Sequence, residues 1–174
     1  HPDIKLEIVT TNGFLNPSKR EADLAVMLAR PIKGPLVARK LSNYGLGLYA
    51  AASYVEQNGV PRTTLDLRSH AMIGYIPDFI YADELRYLQE IDDKLSPGLS
   101  SSSINIQLGL TLQGMGLCVL PNFVATHHPT LGRILPEIEI ERAFWIVVHR
   151  DFAKVARIRA VMDWLDALVQ KAVL

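Results

Sequence analysis

The chemistry this chain can offer starts with four successive serines, Ser100–Ser103. They precede an apolar segment, then Gly114-Met115-Gly116, then Leu117-Cys118-Val119-Leu120 closed by Pro121. That order predicts a polar cap, a helix, a glycine stop and a short buried strand. Hydroxyls crowded around the free backbone N–H groups of a helix start can cap it, and they can also hold a small anion. The stretch reads as one wall of a small-molecule cleft.

Catalytic patterns find less support. No G-x-S-x-G elbow surrounds any of the serines. The five histidines (His1, His70, His127, His128 and His149) form no HxxxH or HExxH spacing, and Cys118 alone cannot build a structural zinc site. No catalytic residue, metal ligand or cofactor is assigned. Asp92 and Asp93 are a carboxylate pair without a neighbouring histidine, which reads as solvated loop acids. Cys118 lies in an apolar strand and reads as inert packing. Gly45-x-Gly47 is not followed by a helix start and so is no nucleotide loop. His149 ends a strand, where a structural role outweighs a catalytic one.

The elements that must position the serines follow from periodicity. Ile4–Val9 alternates at period two, predicting a strand, and Thr10-Thr11-Asn12-Gly13 is a polar loop at its C-terminal end. Asn16-Pro17-Ser18 starts a short helix, and Ala22–Leu28 is a continuous buried strand. Leu36–Leu41 and Tyr44–Ala50 are two extended pieces separated by Ser42-Asn43, suited to passing between lobes. Ser53–Asn58 is a short helix closed by Gly59, Thr64–Leu67 a brief helical turn, and His70–Ile76 a strand. Tyr81–Ile91 has helical spacing. Within the helix after the serines, Ile104, Leu108, Leu112 and Met115 form the expected core stripe. Phe123–His128 is a helical turn; Arg133–Pro136 and Glu137–Ile140 alternate like edge strands. Ala143–His149 is an apolar strand, and Ala153–Val173 an amphipathic helix with Arg157, Arg159, Asp163 and Asp166 on its polar face. Strands and helices alternate, so the class is α/β.

Bulk properties narrow the function. The 174 residues suffice for one domain or two small lobes, with 49% hydrophobic and 21% charged residues. Lys+Arg and Asp+Glu balance at 18 each, so no basic excess points to direct nucleic-acid binding. No apolar run approaches the roughly 20 residues of a membrane span. No signal peptide is read, and the single cysteine fits a reducing compartment, so the expected location is cytoplasmic.

Several segments, in order, resemble the effector-binding domain of LysR-type transcriptional regulators. They are Glu21-Ala22-Asp23-Leu24-Ala25-Val26 with Pro31, and Leu36-Val37-Ala38-Arg39-Lys40-Leu41. Asp66-Leu67-x-x-His70 with Ile73-Gly74-Tyr75, and Gln113–Pro121, follow. Phe144–Asp151 and Ala156-Arg157-Ile158-Arg159-Ala160 complete the pattern, which covers essentially the whole chain. The resemblance implies a two-lobed fold like type 2 periplasmic binding proteins, with a small effector in a cleft between lobes. Residues 1–41 and 144–174 would form the first lobe and residues 42–143 the second. By position, the resemblance implies effector contacts from Thr10, Thr11 and Asn12, from Tyr75, Ile76, Pro77 and Asp78, and from Ser101, Ser102, Ser103 and Ile104. A carboxylate suits such a site.

Relatives of this kind usually begin with a further strand and helix, and full regulators with a winged helix-turn-helix before that; neither precedes His1 here, so a fragment is expected. DNA would be met only through that N-terminal domain. The family further implies homodimers, and tetramers for full-length proteins. Met27 stands where many relatives carry an arginine, which disfavours a strongly acidic effector unless Arg30 or the backbone supplies charge. Two alternatives stand beside the sensor: a free-standing solute-binding protein of the same fold, and a small serine hydrolase using a serine near His149.

Overall fold

The computed structural model describes residues 1–10 and 21–171. In chain order the elements are β1 (Leu24–Met27), β2 (Leu36–Ala51), α1 (Ala52–Asn58), β3 (Met72–Gly74), α2 (Tyr87–Ile91), β4 (Leu99–Ser100), α3 (Ile104–Leu112), β5 (Leu117–Pro121), α4 (Asn122–Ala125), β6 (Leu131–Ile134), β7 (Ile140–His149) and α5 (Ala156–Lys171). Single 3-10 turns cover Asp66–Ser69, Pro77–Phe79, Asp83–Leu85 and Arg150–Phe152. The chain divides into two compact units, 1–43 with 143–174, and 44–142. Among the described residues no helix is long and apolar enough to cross a membrane.

The first unit is built on β1, paired antiparallel with β7 from Leu24↔Val148 to Met27↔Trp145. Ile146, Val148 and Ile158 are its buried centre, covered by Leu24, Leu41, Phe152, Val155, Met162 and Leu165. Val155, Ile158, Met162 and Leu165 recur at three and four, which is the stripe that docks α5. Asp166, on the face expected to be solvated, meets Arg39 of β2 there in an exposed two-pronged ion pair at 2.9 Å in both arms. Ile4–Val9 is not a strand. Leu6, Ile8 and Val9 are all exposed, because alternation creates a strand only where a neighbouring edge accepts its backbone. Thr11, Asn12 and the short helix expected at Asn16-Pro17-Ser18 lie outside the described residues.

The second unit is a mixed sheet in the order β2–β5–β3–β4, with β6 on the other side of β2. β5 runs antiparallel to β2 (Leu46↔Pro121 to Tyr49↔Cys118) and parallel to β3 (Met72↔Leu117, Ile73↔Cys118). β3 is parallel to β4 (Ile73↔Leu99, Gly74↔Ser100). Every residue of β5 is buried, as a continuous apolar run predicts for a strand covered on both faces. The two extended pieces expected around Ser42-Asn43 are one strand of 16 residues. The helix expected over 81–91 is interrupted at Arg86, whose ψ of 52° is not helical, and gives a 3-10 turn followed by α2. The paired edge strands expected over 133–140 reduce to β6, because Leu135 takes a positive φ of 47° and turns the chain away before β7.

The glycine stop after α3 has a full physical account. Met115 N–H donates to Leu110 O (3.2 Å) and Gly114 N–H to Thr111 O (2.9 Å), the two bonds of a Schellman end, with Gly114 at φ 70°. Gly116 serves differently. A Cβ there would lie 2.5 Å from Ala71 O and 3.1 Å from Ala71 C, so the strand enters the sheet only without a side chain. Gly116→Ala is expected to destabilise the chain by about 1–3 kcal/mol through this overpacking. Urea unfolding with an unchanged midpoint would contradict it.

Candidate functional site

Two of the expected contact segments are brought together within the second unit. Tyr75–Asp78 follows β3 and Ser101–Ile104 follows β4, and these strands are parallel neighbours. Both segments therefore leave the sheet at the carboxyl ends of adjacent strands, the edge where open α/β sheets bind ligands. A direct bond joins them, Ser101 N–H to Gly74 O at 3.0 Å. Tyr75 and Ile76 are half-buried, while Pro77 and Asp78 are exposed on the 3-10 turn closed by Phe79 N–H to Ile76 O (2.9 Å). Thr10 is exposed in irregular chain of the first unit.

The serines divide their roles rather than jointly capping the helix. Ser100 belongs to β4. Ser101 is buried and its Oγ accepts Ser103 N–H at 3.1 Å, a local turn of the kind serine forms readily. Ser103 is the N-cap of α3 but makes no side-chain cap bond. Ser102, Ser103 and Ile104 are half-buried at the helix start.

The core-facing side of α3 departs from the expected stripe. Ile104, Leu108 and Leu110 pack on the cluster of Tyr49, Ile73, Cys118, Leu120 and Ala125. The most buried positions are polar, Gln107 at 1% and Thr111 at 0% exposure, whereas Ile106 and Met115 face solvent. Thr111 Oγ1 donates to Gln107 O (2.8 Å), and Gln107 Nε2 donates to Ser101 O (2.8 Å). The Cys118 thiol contacts Gln107 Oε1 at 3.6 Å, and burial pushes that thiol up to about 12. An un-ionised thiol at neutral pH is consistent with packing rather than nucleophilic use.

A small cavity with room for little more than a water molecule opens between Gly74, Tyr75, Tyr87, Leu88, Gln107 and Val119. Tyr75 and Tyr87 meet edge to face at 5.9 Å, and Tyr44 shares a hydrogen bond with Tyr87. Burial, reinforced for Tyr75 and Tyr87 by the neighbouring phenols, raises all three above the usual phenol range. Arg142 backs this aromatic wall. Its guanidinium lies 5.6 Å from the Tyr87 ring centre and donates to Glu84 O and Glu141 O, both at 2.8 Å, and to the Glu90 carboxylate. Tyr44, Tyr87, Gln107 and Arg142 were not legible as site residues. The usable signal was an arginine directly before the apolar run Ala143–Val148, and a glutamine among leucines on a helix.

The remaining candidates have structural roles. His149 is buried, and its Nδ1 accepts Asp151 N–H at 3.2 Å, starting the turn before α5. Asp92 is not a solvated loop acid, because Arg68 reaches it with Nε at 2.7 Å and Nη2 at 2.9 Å. Lys94 N–H, donating at 3.0 Å, and that guanidinium hold its carboxyl below the usual range. In the first unit Met27 is half-buried opposite Trp145, and Arg30 stacks 5.4 Å from the Trp145 ring centre. Among the described residues no cluster of His, Cys, Asp and Glu could hold a metal ion.

Comparison with known proteins gives a consistent answer. Residues 1–170 match the family model of the LysR substrate binding domain. A curated relative is the HTH-type transcriptional regulator CrgA of Neisseria meningitidis serogroup B, 26% identical over 171 residues, covering 95% of this chain and 57% of the relative. The chain thus spans little more than half the length of that protein. The solved regulatory domain of CrgA superposes with a TM-score of 0.84 at 26% identity, covering 97% of this chain and 85% of that one. The regulatory domain of a cysteine-to-serine variant of AphB from Vibrio vulnificus shares the fold, with a TM-score of 0.72 at 18% identity over 96% of this chain and 86% of that one.

The buried phenols make alkaline stability a test of this site. Their raised folded values mean that the stabilisation is complete below the unfolded phenol value of about 10 and is lost as pH rises beyond it. Tyrosinate absorbance is expected to show a late phase coincident with loss of circular dichroism. Tyr75→Phe and Tyr87→Phe should each shrink that phase, and an undiminished phase would show that these phenols titrate freely.

Proposed function

Because the chain belongs to the LysR substrate-binding domain family, we propose that it is the effector-sensing part of a LysR-type transcriptional regulator and binds a small metabolite. The observation that carries this reading is the meeting of Tyr75–Asp78 and Ser101–Ile104 at the carboxyl ends of two parallel strands. Side-chain hydroxyls, helix N–H groups and the phenolic cavity there supply hydrogen bonds suited to a polar small molecule, a carboxylate among them. Thr10, Thr11 and Asn12 are the contacts proposed from the first unit.

In the longer protein, effector binding would favour one arrangement of the sensor over another and so alter how an attached DNA-binding domain meets its operator. Homodimers, and tetramers of the full-length protein, belong to the same proposal, as does a cytoplasmic location.

A metabolite library scanned by thermal shift, carboxylates first, is expected to yield a ligand with saturable calorimetric binding. The double variant Ser102→Ala with Ser103→Ala should then lose at least about tenfold in affinity, or ~1.4 kcal/mol. Since Ser103 makes no cap bond, its hydroxyl can be removed without uncapping α3. Unchanged affinity would exclude both serines from the site.

A further inference from the structure

The carboxamide of Gln107 sits where α3 faces the sheet, a position that an apolar side chain would ordinarily fill. A buried amide is tolerated only when its hydrogen bonds are met. At 1% exposure, its Nε2 donates to Ser101 O at 2.8 Å. That bond completes the fixation of Ser101. Its N–H is held by Gly74 O at 3.0 Å, its Oγ accepts Ser103 N–H at 3.1 Å, and its carbonyl is taken by Gln107. All three polar groups of one residue are thereby spent on setting the path of the chain into α3. The same side chain lines the cavity beside Tyr75 and Tyr87.

We propose that Gln107 is a positioning residue: its bond to the Ser101 carbonyl sets the turn that presents Ser102, Ser103 and Ile104, and it links that turn to the cavity below. That the turn contacts an effector rests on the function proposed above; that Gln107 sets the turn does not. A polar group entering the cavity meets the carboxamide that holds the turn, so occupancy there and the geometry of the helix start are coupled through one side chain.

The experiment replaces the amide by groups of similar size. Gln107→Glu can donate to Ser101 O only while its carboxyl is protonated. Burial raises that carboxyl above its ordinary value, so the bond is present below the raised value and is lost as pH rises through it. The other ionisable groups facing the position, the Cys118 thiol and the Tyr75 and Tyr87 phenols, are raised and keep their protons across this range. Amide hydrogen exchange at Ser101 and Ser103, each compared with the parent chain at the same pH, is expected near parent rates at about pH 5 and at least about tenfold faster at about pH 8. Amides of Leu117–Leu120 should stay at parent protection. Gln107→Met, which cannot donate at all, should loosen Ser101 and Ser103 at both pH values, and it decides the matter if the Glu variant does not fold.

Parent-like exchange at Ser103 in Gln107→Met, or equal loss of protection throughout the sheet, would overturn the proposal. Sodium acetate titrated at constant ionic strength separates the two readings. Saturable amide shifts at Ser102–Ile104 in the parent, weakened in Gln107→Met, support both. Loosening of the turn with no acetate-dependent shift in the parent supports the positioning role and counts against the serine turn as a carboxylate site.

Discussion

β5 is the strand on which the second unit depends, because it is buried along its whole length and has a neighbour on each side. A strand in that position must place its backbone polar groups in the ladders with β2 and β3, since water cannot reach them. Its approach is equally constrained. The helix before it ends in a Schellman turn at Gly114, Gly116 passes the Ala71 carbonyl with no room for a Cβ, and Leu117 N–H then bonds that same carbonyl at 2.8 Å. Once β5 is in register, Cys118 and Leu120 fall in the cluster under α3 and Val119 falls at the cavity. Core and candidate site are thus set by one alignment.

The polar groups that this arrangement buries cluster around the candidate site. Gln107, Thr111 and Ser101 form a connected set whose members are bonded to one another or to the backbone, which is the condition for polar side chains to sit in a core without a large penalty. Beside them, Tyr44, Tyr75 and Tyr87 are held as neutral phenols by burial, and Arg142 ties the Tyr87 ring to Glu84 and Glu90. Among the described residues no cation lines the cavity itself; phenols and an amide do.

Much of the framework was legible from local signals. The α1 helix closed by Gly59 and the buried β5 closed at Pro121 follow from apolar patterning plus a stop residue, and the docking stripe of α5 follows from periodicity alone. The α3 stripe was only half legible. Ile104, Ile106, Leu108, Leu110 and Leu112 alternate along the sequence, so a helix built from them carries apolar side chains on two opposed faces. Periodicity cannot then say which face is buried. The sheet selected Gln107 and Thr111 and left Ile106 and Met115 in solvent.

By itself the sequence determined the α/β class, the positions of the main helices and buried strands, and the serine-to-proline stretch as a candidate wall. These depend on neighbours within a few residues. The tertiary structure alone decided that Ile4–Val9 pairs with no strand among the described residues, that Asp92 answers to Arg68, and that Ser101 is spent on the turn while Ser102 and Ser103 lie half-buried at the helix start. It also assembled Tyr44, Tyr75, Tyr87, Gln107 and Arg142 from segments as many as 98 positions apart (142 − 44). Such contacts are fixed by strand register and by which helix face meets the sheet, and neither is encoded in the spacing of residues along one segment.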